Sequence, residues 1–368
     1  MTRILLLVTS DIIADQRVHR TASTLVEAGY HVTAIGRRLK STPKIITKPY
    51  KVKLFRLPFK KGPLFYITYN IWAFFYLIFS KIDLIHANDL DTLMATRLVS
   101  LFRKKPIIYD SHELFSEIPE LVNRKRTQNI WISLEKRLVK GLTYCSTVSN
   151  GVSHELFNRY GIHFHVIRNL PFGRNDAFEY PQSQQKTIIY QGALNIGRGL
   201  EKLIDSMQWL PIEKLIIVGT GDIENALMNQ CKNLGLNERI TFLGKIPLDQ
   251  LHSITSEANI GVSIEEDLGL NYRYALPNKL FDYIQAGLPV LTSDLPEMAA
   301  IVKEHGIGET IESDCSPKML ADKLSGMMSD SKKMLEWRQN SLSAAKTLCW
   351  ENEKGILLEL VENALNKK

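Results

Sequence analysis

The chain has 368 residues, 45% of them hydrophobic, which is more than one ordinary domain needs and enough for two cores of similar size. Its formal net charge of +7 is moderate, and no helix-turn-helix, RNP-like or zinc-knuckle pattern accompanies it, which argues against nucleic acid as a partner. Four cysteines, Cys145, Cys231, Cys315 and Cys349, stand without CxxC spacing. Neither a zinc site nor a disulfide framework is expected, and they read as core thiols of a cytoplasmic protein.

The N-terminus, MTRILLLVTSDII, carries one arginine and a short apolar run, with Asp11 and Asp15 nearby and no small-residue cleavage pattern. It reads as a first buried strand and not as a signal peptide. ILLLVTS, HVTAIG, KVKLFRLP, DLIHAN, PIIYDS, YCSTVS and HVIRN predict short buried strands. VHRTASTLVEAG, DTLMATRLVSLF and IWISLEKRLVKGL predict helices between them. The aromatic run PLFYITYNIWAFFYLIF, from Pro63 to Phe79, is too short for a spanning helix of roughly 20 residues. It predicts a buried helix, with a membrane-facing helix as the alternative. Three basic clusters, Lys60-Lys61, Arg103-Lys104-Lys105 and Arg124-Lys125-Arg126, fall in the first half. Solvated helix ends account for them, and an anionic membrane surface or a phosphorylated substrate would suit them too.

The pattern lapses in PFGRNDAFEYPQSQQK, residues 171–186, and then resumes. TIIYQG, KLIIVG, RITFLG, NIGVSI and PVLTSD predict strands; LEKLIDSMQ, IENALMNQCKNLG, LDQLHSITSEA, PNKLFDYIQAG and PEMAAIVKEHG predict helices. The expected class is α/β, two tandem doubly wound Rossmann-like domains. The boundaries predicted are 1–172 for the N-terminal domain, 173–186 for a linker and 187–345 for the C-terminal domain. A C-terminal helix over 346–368 is a candidate to return to the N-terminal domain.

In such sheets ligands collect at the carboxyl ends of strands. The first domain places Asn88, Asp89, Asp110, His112 and Glu113 there; the second places Gly192 to Arg198, Gly219, Gly221, Lys245, Glu265, Glu266, Lys279 and Asp282. YQGALNIGRGLEKLI and IVGTGDIENAL are glycine-spaced strand-to-helix turns of the kind that cradle phosphate, and Arg198 adds a guanidinium. Neither is a complete GxGxxG. Lys279 falls in the first turn of a helix beginning after Pro277, where free N–H groups and the macrodipole already make a positive field. A cation there calls for an anion opposite, and Arg198 and Lys279 could converge on one diphosphate. The alternative for Lys279 and Asp282 is a solvated i,i+3 ion pair.

The tandem layout, the GALNIGRGLEKLI loop, the IVGTGD turn, FLGKIP and above all LPNKLFDYIQAGLPVLTSD resemble the family 4 glycosyltransferases of the GT-B fold. DLIHANDLDTL and PIIYDSHELF resemble that group's N-terminal domain, so the resemblance covers nearly the whole chain. It implies retaining transfer of a sugar from a nucleotide-sugar donor to a glycan or lipid-linked acceptor, in surface-polysaccharide or glycolipid synthesis, with no cofactor and no required metal. It implies that Arg198 neutralises the donor diphosphate with Lys279 as its helper, that Asp282 receives the ribose hydroxyls, and that His112 touches the transferred sugar. Glu113 stands beside His112 in the same turn as a second catalytic candidate, and Gly192, Gly219 and Gly221 belong to the donor loops. The family's pattern of Glu, seven residues, Glu is broken. Tyr274 stands eight positions before Asp282, and Glu265 is the candidate for the missing carboxylate. The loop SDIIADQRVHR lacks the glycines many relatives have, leaving Asp15 and Arg17 as acceptor-side candidates. Two other readings stand beside transfer: a nucleotide-sugar 2-epimerase on the same plan, and a non-catalytic nucleotide-sugar-binding subunit, motivated by Tyr274.

Overall fold

The structure is a computed structural model that describes residues 1–13, 15–39, 42–43, 46–118, 121, 124–174 and 185–366, with the backbone alone at 248 and 249. The chain divides into two compact units, Met1–Asn169 with Glu353–Lys368, and Leu170–Asn352. Most of the linker expected over 173–186 lies outside the described residues.

The first unit is built on a seven-stranded parallel sheet in the order β3-β2-β1-β4-β5-β6-β7. The strands are β1 (Arg3–Leu7), β2 (His31–Arg37), β3 (Lys51–Phe55), β4 (Leu84–Asn88), β5 (Ile107–Ser111), β6 (Tyr144–Thr147) and β7 (His165–Val166). β4 and β5 are buried at every position, as near-continuous apolar runs require when helices cover both faces of a parallel sheet. The strand order reverses between β1 and β4, which makes the loops after those strands the natural ligand crevice. The helix Gln16–Glu27, after β1, is started by Asp15, whose carboxylate accepts from the N–H of Val18 at 3.0 Å. The terminal helix Trp350–Asn366 is tied into this unit where Tyr144 donates to the carbonyl of Asn363 at 2.8 Å and Arg168 pairs with Glu353.

The expected buried helix at Pro63–Phe79 forms, but it is buried on one side only. Phe65, Tyr69, Asn70, Ala73 and Leu77 face the interior, and Leu64, Ile67, Ile71, Phe75 and Phe79 face outward. A sequence that is apolar all round has no periodicity from which to read the free face. Among the described residues no helix is long and apolar enough to cross a membrane.

The second unit carries a six-stranded parallel sheet in the order β10-β9-β8-β11-β12-β13. Its strands are β8 (Thr187–Gln191), β9 (Lys214–Val218), β10 (Ile240–Gly244), β11 (Ile260–Ser263), β12 (Val290–Ser293) and β13 (Gly308–Ile311). Ile188 and Tyr190 join one core with Leu203, Ile217 and Val262, while Ile189 joins another with Phe281, Val290 and Met298, so alternate residues of β8 serve opposite faces. The sequence pattern missed β13. It is a four-residue edge strand, GETI, mostly half-exposed, with none of the apolar run that marks its neighbours. Gly308 fits there because a Cβ would lie 1.9 Å from the carbonyl oxygen of Val290. All four cysteines are buried free thiols.

Candidate active site

The strand order of the second sheet reverses between β8 and β11, and the polar residues of the site gather at the ends of those two strands. Glu265, just beyond β11, is completely buried. Its Oε2 accepts from the hydroxyl of Ser263 at 2.8 Å, and its Oε1 accepts from Lys279 Nζ at 2.7 Å and Arg198 Nη1 at 3.4 Å. Burial alone would push this carboxyl up, but Lys279 and Arg198 outweigh it and hold it below the usual carboxylate range. Burial likewise opposes the charge on Arg198, and Glu265 outweighs it in turn, raising the guanidinium.

Tyrosine rings complete the cation sites. Lys279 Nζ lies 4.2 Å from the ring centre of Tyr190, and the guanidinium of Arg198 lies 5.3 Å from that of Tyr272. Arg198 Nε is buried with no acceptor among the described residues, so this side chain retains an unused donor. The helix Asn278–Gln285 carries Lys279 in its first turn and Asp282 one turn on. Lys279 pairs with Glu265 and not with Asp282. Asp282 Oδ2 accepts from Gln191 Nε2 at 3.0 Å, and Gln191 Oε1 accepts from Thr255 at 2.8 Å, which ties the carboxylate to the end of β8.

The glycines of the two donor-side loops are explained by close packing. A Cβ on Gly219 would sit 1.8 Å from the carbonyl oxygen of Gly192, and one on Gly221 would sit 2.3 Å from that of Leu194. A Cβ on Gly192 would press on Lys279 Cε at 3.2 Å. The loop after β8 thus lies directly on the loop after β9 and beside the ammonium.

In the first unit the cluster centres on Asp110, at the end of β5. This buried carboxylate accepts from Arg17 Nε and Nη2 at 2.7 and 2.6 Å, from Ser146 at 2.7 Å and from His112 Nε2 at 3.0 Å. Burial opposes its charge, but Arg17 and His112 hold it well below the usual carboxylate range. The other ring nitrogen of His112, Nδ1, lies 3.1 Å from Asp89 Oδ2. Ionised carboxylates only accept hydrogen bonds, so a histidine held between two of them carries a proton on each nitrogen. Accordingly the imidazole is raised well above its ordinary value, with Asp89 and Asp110 outweighing burial. Asp89 has φ 62° and ψ 162°, a conformation nearly reserved for glycine. It is fixed there by its N–H on the carbonyl of Asp110 at 2.8 Å and by the N–H of His112 on its own Oδ1 at 2.8 Å.

Two family models account for most of the chain: Glycosyltransferase Family 4 matches residues 14–170, and Glycosyl transferases group 1 matches residues 174–343. The chain belongs to the family 4-like glycosyltransferases. An uncharacterized glycosyltransferase of Methanocaldococcus jannaschii is 29% identical over 129 residues, which are 34% of this chain and 31% of that relative, so the match spans about a third of its length. Among solved structures, sucrose-phosphate synthase from Thermosynechococcus elongatus superposes with a TM-score of 0.80 at 17% identity, covering 98% of each chain. A glycosyltransferase from Rickettsia africae gives 0.74 at 14%, covering 100% of this chain and 99% of its own. HepE of Anabaena in complex with UDP and glucose gives 0.74 at 16%, covering 99% of each. At these identities the superpositions establish the fold, GT-B.

Against this glycosyltransferase framework, the structure brings together Gly192, Arg198, Glu265, Lys279 and Asp282, with Gly219 and Gly221 in the adjoining loop. Glu266 serves the same loop from its backbone, its N–H donating to the carbonyl of Gly197 at 2.9 Å, whereas Lys245 is exposed beyond β10. In the first unit His112, Asp89 and Asp110 form one network, and the carbonyl of Glu113 accepts from Ser111 at 2.9 Å. Asn88 is buried, its amide on the carbonyl of Leu7. Of the acceptor-side candidates, Arg17 is buried on Asp110 and Asp15 caps its helix. Sequence reasoning missed Gln191, Ser263, Tyr190 and Tyr272. Gln191 had a signal, a polar residue at the carboxyl end of a buried strand.

Proposed function

We propose that the protein is a retaining glycosyltransferase that moves a sugar from a nucleoside-diphosphate sugar to a glycan or lipid-linked acceptor in surface-polysaccharide or glycolipid synthesis. The observation that carries this reading is the convergence of Arg198 and Lys279 on the buried Glu265 at the reversal of strand order. As the nucleoside diphosphate departs, negative charge grows on the leaving oxygen, and cations fixed in advance stabilise it more in the transition state than in the ground state. Lys279, 6% exposed and close to Glu265, is the fixed member of the pair. Arg198, 29% exposed and held at the longer distance of 3.4 Å, is the more exposed cation of the two and is the one offered to phosphate. In this proposal the side-chain cations carry the neutralisation without a cofactor or metal.

Asp282, steadied by Gln191, receives the ribose hydroxyls, and the His112 network serves the sugar. HepE has been solved with UDP and with UDP-glucose, which makes uridine the first nucleoside to try. Calorimetry of UDP and of uridine against the wild type, Arg198→Ala and Lys279→Ala tests the assignment. Each variant should weaken UDP far more than uridine, because charge-assisted bonds to phosphate contribute roughly 1.5–3 kcal/mol each. Equal losses for both ligands would refute it.

A further inference from the structure

The helix Pro63–Phe79 has no charged residue, and its outward face is a continuous stripe of Leu64, Ile67, Ile71, Phe75 and Phe79, each at least half exposed. Steps of three and four residues keep these side chains on one side of the helix. The neighbouring helix Leu90–Arg103 adds Leu98, Leu101 and Phe102. Arg103 links the ends of the two helices, its Nη1 donating to the carbonyls of Leu77 and Ser80 at 2.9 and 2.5 Å. Phe79 and Phe102, 83% and 78% exposed, therefore belong to the same end of the patch. An apolar hollow lined by Trp72, Phe75, Tyr76 and Phe79 opens beside them. A contiguous apolar surface of this kind marks an interaction site.

The charge around the patch decides what fits it. Lys60 and Lys61 are exposed ahead of the helix, and Lys81 and Lys104 are exposed at the end that carries the two phenylalanines. The adjacent acid, Asp83, is occupied by the N–H of Arg3 at 2.9 Å and by Lys105 at 3.6 Å. A basic rim around an apolar stripe repels a second copy of the same face and attracts an anionic plane. We propose that this face of the first unit docks on an anionic lipid bilayer, with the phenylalanines entering the interface and the lysines meeting the headgroups. At 17 residues and half-buried, the helix lies on the bilayer and does not span it.

The test uses the full-length protein, phosphatidylcholine vesicles and vesicles that also contain phosphatidylglycerol, with the bound fraction read by flotation. Binding is expected on the anionic vesicles only, falling as salt rises. Phe79→Ser/Phe102→Ser should reduce it at least tenfold at an unchanged melting temperature, since both side chains are exposed, and Lys81→Glu/Lys104→Glu should reduce it at low salt. Wild-type indifference to phosphatidylglycerol, or full binding by the phenylalanine variant, overturns the proposal. So does a concentration-dependent dimer that the phenylalanine variant abolishes, because a second copy would then be the occupant. No nucleotide takes part, so failure here leaves the transfer reading untouched.

Discussion

The ammonium of Lys279 lies 2.7 Å from Oε1 of Glu265, a carboxylate with no exposed surface. A lysine in the first turn of a helix opposes the macrodipole. The protein itself supplies the anion that makes it tolerable, from a strand end fourteen residues earlier in the chain. The same carboxylate holds Arg198, so one buried side chain gathers both cations.

Glu265→Gln leaves Lys279 buried without its counter-charge and Arg198 repelling it. Removing one partner of a buried pair costs about 3–5 kcal/mol, and the variant should unfold at correspondingly lower urea. UDP brings a replacement anion, so its stabilising effect should be larger in the variant than in the wild type. A smaller UDP shift in the variant would mean that Glu265 assists phosphate binding and does not stand in for phosphate.

His112 should behave as a fixed cation. Its folded value is raised above the ordinary value of about 6.5, so the stability it contributes is complete below that pH and disappears as pH rises through the elevated folded value. Nitrogen NMR at about pH 8 should find both ring nitrogens protonated. Asp89→Asn, which removes one of the two carboxylates, should restore loss of the proton closer to neutrality. An imidazole that loses its proton near its ordinary value with both aspartates present would contradict the network.

The sheets were legible because a parallel strand covered on both faces is a short apolar run between turn residues, as ILLLVTS and TIIYQG are. GETI was not, since an edge strand buries too little to need one. The strand-end rule pointed to Glu265, Asp110 and His112 individually, because each lies at or just beyond the end of a strand, and to Lys279 because it opens a helix, with Asp282 one turn on. Their pairings were not legible. Glu265 meets Lys279 only because β11 and the helix Asn278–Gln285 lie side by side, and Arg17 meets Asp110 across 93 residues of sequence. The free face of Pro63–Phe79 was hidden for the opposite reason, an excess of apolar residues with no polar one to mark the outside.

Asp91, in the first turn of Leu90–Arg103, accepts from Thr9 through Oδ2, while its buried Oδ1 has no partner among the described residues. Burial, with Asp89 adding to it, pushes this carboxyl up to about 7. A raised carboxyl costs nothing below its unfolded value and progressively more as pH climbs to the folded one, at about 1.4 kcal/mol per unit. Asp91→Asn keeps an acceptor for Thr9 and removes the ionisation. Its advantage in melting temperature over the wild type should therefore grow between about pH 4 and pH 7 and level off above. An advantage independent of pH would show that Asp91 loses its proton in the fold as it does in the unfolded chain, and would contradict the raised carboxyl.

The most direct test of sugar transfer is the release of free nucleoside diphosphate from a panel of nucleotide sugars, beginning with UDP-glucose and including donors shown to bind by thermal shift. The wild type should release it slowly without acceptor, water taking the acceptor's place, and faster with a lipid extract. Arg198→Ala and His112→Ala should each slow release by more than tenfold, about 1.4 kcal/mol or more in the barrier. A nucleotide sugar that binds and is never turned over, extract added, would contradict the account and leave a sugar-nucleotide-binding subunit.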